Sequence, residues 1–197
     1  MKRSVMGVLV LACCAGWGCK KGAESTAAAT ATGGQAAPDA REPPAPVVKV
    51  DFPGTAEGAR ALLGAFVVEG ADVAALSRAL RPQPVDYAAV FVGEAAKKAQ
   101  GAYAPAWDAN AMRVEADPGQ TEVQLWSATG AELAAQTGDA AEFPGGYRDI
   151  AAQLGPDVAF YRFRFVRPGE TAGRAFDGLV HVNGRWVIFP KPYRALR

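Results

Sequence analysis

The sequence predicts an α+β domain in which N-terminal helices pack on an antiparallel sheet of about five strands. Three observations carry this. Apolar residues recur at helical spacing between residues 55 and 103. The period then shortens to two, most clearly in "AFYRFRFVR". Near the end, Asn183 and Gly184 form the pair that two-residue hairpins favour. Helices first and strands afterwards is a segregated plan, with helices on one face of a twisted sheet.

In residues 55–69 Ala59, Leu62, Leu63, Phe66 and Val67 share a helix face, Thr55 can cap the N-terminus and Glu57 lies in the first turn. Gly70 ends this helix, and Asp72 caps a second that carries Val73, Leu76 and Leu80 as far as the prolines at 82 and 84. A third is expected from Pro84 to near Tyr103, ahead of Pro105. Asp86 complements its dipole, Tyr87, Val90 and Phe91 form its buried stripe, and Lys97 and Lys98 lie toward its C-terminal half.

Strands follow. "AMRVEA" and "TEVQLWS" alternate on either side of "DPGQ", which has turn chemistry, so a hairpin is expected. Residues 128–146 are small, polar and glycine-rich and read as a loop, with a short helix over 147–154. In "AFYRFRFVR", Tyr161, Phe163 and Phe165 alternate with Arg162 and Arg164, giving one aromatic face and one basic face. After the "PGET" turn, strands over 174–182 and 185–189 close the sheet. Asn183 and Gly184 join them in a type I′ turn, whose two central residues need positive φ.

The chain opens "MKRSVMGVLVLACCAGWGCKKG", a basic start and a short apolar run that ends at a cysteine and two lysines. The run falls short of the roughly 20 apolar residues of a membrane-spanning helix. Its layout resembles a bacterial lipoprotein signal, whose cleavage leaves a lipid-modified cysteine as the first mature residue. The resemblance implies Cys19 as the lipid attachment site, with Cys13, ending "VLAC", as the alternative. With Cys19 as anchor, the mature chain has no other thiol, because all three cysteines lie in residues 1–19. Disulfides, thiolate catalysis and cysteine metal ligands are then excluded from the domain. Each buried acyl methylene contributes about 0.8 kcal/mol, so several acyl chains hold a protein at a membrane surface. Residues 20–46 are rich in Ala, Thr, Gly and Pro with no aromatic residue, the composition of a disordered tether. Residues 47–197 make one domain of ordinary size.

The order of elements, closing on "DGLVHVNGRWVIF", resembles the nuclear transport factor 2-like or cystatin-like scaffold over residues 53–192. That resemblance implies a curved sheet wrapped round a helix into a cone. Charge is unevenly spread: residues 48–160 carry eight Lys and Arg against fifteen Asp and Glu, whereas residues 161–197 carry eight against two. Such a split lets two layers attract each other, or turns a basic face to an anionic partner.

Among chemistries, one histidine and no domain cysteine nearly exclude zinc or copper sites, and neither metal nor cofactor is expected. The calcium-loop, phosphate-loop, dinucleotide and hydrolase-elbow motifs are absent. Nucleic acid is not an expected partner either, since a stacking platform needs aromatics and arginines on one face. In the final hairpin the register pairs His181 with Trp186, and the two are candidates to line a pocket. Simple alternation puts Asp177 on their face but about 13 Å from His181. A direct bond therefore requires a bulge at Gly178.

These features together point to a lipid-anchored cell-envelope binding or accessory module without catalytic activity, facing the periplasm or cell surface. It would bind a small hydrophobic ligand, an anionic polymer or an envelope protein. Two alternatives stand beside it. One is an enzyme with a carboxylate or His181 as base in a cone-shaped pocket, the other a structural docking lipoprotein.

Overall fold

Thr55 caps the first helix, its hydroxyl accepting the Gly58 N–H at 3.2 Å. Helix α1 (Ala56–Gly64) runs into a 3-10 turn over Ala65–Val67, and together they bury Ala59, Leu62, Leu63 and Phe66. Asp72 likewise caps α2 (Val73–Ala79). The computed structural model describes residues 52–197. The signal segment 1–19, with Cys13 and Cys19, and the tether 20–46 lie outside the described residues.

The expected long third helix is two helices, α3 (Pro84–Val90) and α4 (Glu94–Asp108). Between them Phe91 is extended and pairs with Leu154 as an isolated antiparallel bridge. Val92 N–H donates to Gln153 O at 2.9 Å and Gly155 N–H to Val90 O at 2.8 Å. The β-branched residues on either side of Phe91 suit that extended state. Pro105 does not end α4 either, which continues to Asp108, although a proline removes one backbone donor.

Four strands form the sheet, in the order β1 (Glu122–Thr129), β2 (Ala159–Val166), β3 (Gly173–Val182) and β4 (Arg185–Ile188), all neighbours antiparallel. The expected fifth strand, "AMRVEA", does alternate, with Met112, Val114 and Ala116 turned inward. Its backbone pairs elsewhere. The buried Ser77 hydroxyl of α2 accepts Val114 N–H at 3.1 Å and donates to Val114 O at 3.2 Å, so one side chain takes the place of a neighbouring strand. The sheet is open: β1 and β4 are its two edges.

Residues 128–146, expected as loop, hold the end of β1, helix α5 (Gly130–Ala135) and a 3-10 turn over Gly138–Glu142. Thr129 and Glu132 start α5 as a reciprocal capping box, Thr129 N–H bonding the Glu132 carboxylate at 2.7 Å and Glu132 N–H the Thr129 hydroxyl at 3.2 Å. Helix α6 (Gly146–Ile150) then begins where the short helix is expected, and α7 (Pro192–Ala195) follows the sheet.

Helices cover both sheet faces rather than the expected one. On the face of Tyr161, Phe163 and Phe165, Phe66 lies 6.4 Å from Phe165. On the opposite face, Phe189 meets Tyr87 and Phe91 edge-on at 5.1 Å each, while Tyr147 of α6 meets Phe160 at 6.0 Å. The two layers thus share one aromatic core through the sheet.

Candidate functional site

The closing hairpin forms with the expected register. Asn183 and Gly184 have φ of 51° and 72°, and Val182 pairs with Arg185 and His181 with Trp186. The imidazole meets the indole edge-on at 5.1 Å, and Tyr161 meets the same indole at 5.3 Å. Trp186 is buried, and its Nε1–H donates to Phe52 O at 3.1 Å. This bond brings the chain entering the domain across the hairpin. At Gly54 a Cβ would stand 2.3 Å from His181 Nδ1, so the backbone itself covers the ring. The half-buried His181 sits between indole and backbone.

Asp177 faces the other way. The β2–β3 register shifts between Tyr161 and Phe163, so that Arg162 stands opposite both Asp177 and Gly178. Gly178 takes φ of 81°, and a Cβ there would stand 2.0 Å from Phe189 O. The bulge does occur at Gly178, but it sends Asp177 through the sheet instead of toward His181. There one carboxylate oxygen, Oδ1, accepts the Tyr147 hydroxyl at 3.0 Å and Lys191 N–H at 2.8 Å. Burial pushes the Asp177 carboxyl above its ordinary range, against the opposing pull of those two hydrogen bonds. Burial, then the Asp177 charge, pushes the Tyr147 hydroxyl well above its ordinary value.

A cavity lies elsewhere, among α2, α3, α4 and β4. A cleft of about 430 Å³ opens between the end of α2, the prolines at 82 and 84, α4, and Arg185 of β4. Its polar groups are Arg78, Arg81, Arg185, Gln83, Gln100 and Tyr87, and the Trp107 indole forms part of the wall. Neither His181 nor Trp186 lines it.

Asp86 organises this cleft. It is wholly buried, and accepts Gln83 N–H at 2.7 Å, the Asn183 side-chain amide at 2.8 Å and Arg185 Nη1 at 3.1 Å. Arg185 Nη2 also donates to Arg81 O at 2.8 Å and Ala79 O at 3.4 Å. A guanidinium tied on three sides is held in one orientation. Arg81 in turn pairs with Asp108 of α4. Burial raises the Tyr87 hydroxyl above its ordinary value, opposed by the nearby Arg81 charge. Trp107 is 4 % exposed, and its Nε1–H has no hydrogen-bond partner among the described residues. Behind it lies a void of about 10 Å³ beside Ser77 and Pro190.

Sequence reasoning places Asp86 at a helix start and stops there. Its partners at 183 and 185 are 97 and 99 residues away, a distance over which no periodicity speaks. The nearest local signal is its place three residues after Gln83, the spacing of a helix-start carboxylate. Nothing local marks Arg78, Arg81 or Trp107.

Fold and cleft together define an α+β domain with a donor-lined depression among α2, α3, α4 and β4. Comparison with known protein families, characterised proteins and solved structures finds no match to this chain. Among the described residues no cluster of three or more His, Cys, Asp or Glu could hold a metal ion. No helix among them is long and apolar enough to cross a membrane.

Proposed function

We propose that the chain is a lipid-anchored, non-catalytic binding module of the bacterial cell envelope, tethered through Cys19 and holding its ligand in the cleft between α2, α4 and β4. The composition of the cleft supports this reading. Its side chains are guanidinium and amide groups with aromatic and proline walls, which suits holding and orienting a molecule. The cone interior implied by the nuclear transport factor 2-like resemblance is not the cavity on which this reading rests. The apolar opening run that stops at Cys19 supports the anchor.

Acyl labelling and membrane fractionation test the anchor in cells. Cys19→Ala should abolish labelling and release the protein from the membrane fraction, and globomycin should block processing. Labelling that survives Cys19→Ala but not Cys13→Ala moves the anchor to Cys13. Labelling that is absent from the wild type removes the lipoprotein reading. His181→Phe should leave binding at the cleft unchanged, since His181 packs against Trp186 and Gly54.

A further inference from the structure

We infer that the ligand of the cleft is a small organic anion, a carboxylate or phosphate group carried on a flat apolar body. This rests on the cleft being the binding site of the proposed module, and names the class of molecule it takes.

Charge is the first ground. Three arginines line the cleft and no aspartate or glutamate does. Asp86 and Asp108 stand behind it, so three positive charges against two negative leave one net positive charge. The two carboxylates fix their arginines without filling the space in front of them. Arg78 differs: among the described residues it has no carboxylate partner. A guanidinium carries five N–H donors in a plane, and pairs with the two oxygens of a carboxylate or phosphate in a fork.

Geometry is the second. Arg185 is held by Asp86, Ala79 O and Arg81 O, so its orientation is set before any ligand arrives, which reduces the ordering cost of binding. Gln83 and Gln100 add neutral donors, while Pro82, Pro84, Tyr87 and Trp107 give the rest of the lining a flat, apolar character. The volume of about 430 Å³ falls at the lower end of small-molecule sites, roughly 300–1,000 Å³. It excludes a folded partner but admits a ring with a charged substituent.

The Trp107 ring forms part of the apolar wall, with its Nε1–H buried away from solvent.

Benzoate, phenyl phosphate and neutral benzamide, titrated separately into the detergent-purified full chain, test this through tryptophan fluorescence and melting temperature. At least one of the two anions should bind saturably and raise the melting temperature. Benzamide should bind about tenfold or more weakly, the difference that one charge-assisted contact makes. Whichever anion binds tighter tells whether carboxylate or phosphate is the natural head group. Arg78→Gln should weaken the anion about tenfold or more without lowering the ligand-free melting temperature, because Arg78 is exposed. Arg164→Gln, on the sheet, should leave the affinity for the anion unchanged. Absence of saturable binding by both anions overturns the inference, as does benzamide binding equally well or affinity that survives Arg78→Gln. Because the lipid anchor is read separately by acyl labelling, anion binding without labelling overturns the envelope assignment and leaves the cleft chemistry standing.

Discussion

Asp177 carries two burdens at once, a buried carboxyl and a backbone turn that depends on it. Its Oδ1 holds Lys191 N–H, and Lys191 takes φ of 52°, a left-handed conformation uncommon outside glycine, asparagine and aspartate. Because burial raises the folded-state value of Asp177, the fold favours its protonated form. Its contribution to stability is therefore fully present below the ordinary aspartate range, and is lost as pH rises through the raised folded value. Asp177→Asn keeps an oxygen able to accept both hydrogen bonds and removes the charge. Urea midpoints of the two proteins should accordingly shift in favour of the Asp177→Asn variant as pH rises from about 4 to about 7. A shift the other way would mean that the hydrogen bonds outweigh burial. The adjacent Gly178 shows why the sequence misplaces this residue. Strict alternation over 177–181 sets Asp177 on the same face as His181, and only contact with Phe189 O, eleven residues further on, shows that the strand must bulge.

Among the elements, those that depend on local periodicity are legible and those that depend on a distant partner are not. The helix α1, its Thr55 cap and the Asn183-Gly184 hairpin all follow from residues within one or two turns of each other. The division of α3 from α4 does not, since Phe91 leaves the helix to pair with Leu154. The Thr129–Glu132 box lies within reach of a local reading, but small residues around it mask the short helix it starts. "AMRVEA" is the sharpest case: its alternation is real, yet at Val114 a serine hydroxyl on α2 stands where a strand partner would be. Ser77→Ala removes both bonds to Val114 in a buried setting, at a cost of about 1–3 kcal/mol. Hydrogen exchange should then accelerate across residues 111–116 while β2 keeps its protection. Equal loss of protection in both would show that the segment is coupled to the sheet more tightly than by this hydroxyl.

Across the whole domain the uneven charge of the sequence resolves into contacts between its parts. Arg162, Arg174, Arg185 and Arg197, all from the basic C-terminal stretch, pair with Glu142, Asp117, Asp86 and Asp149 from the acidic stretch before it. Mutual attraction across the fold accounts for these four pairs, and Arg185 faces the cleft as well. Exposed pairs of this kind contribute little, about 0–1 kcal/mol each. The pair made by the wholly buried Asp86 is different. Asp86→Ala strands three donors at once and should cost about 2–4 kcal/mol in urea denaturation. Part of the loss should return in the double variant with Arg185→Met, because no guanidinium is then left facing an empty carboxylate site. Additive losses in the double variant would mean that the two residues act independently.

Arg185 also sets an order of events during synthesis. Arg78, Arg81 and Trp107 emerge early, but the cleft lacks its fixed cation until the last hairpin has been made and has docked on Asp86. The proposed ligand would meet a complete cleft only after these distant contacts are in place, so its binding would report a finished fold.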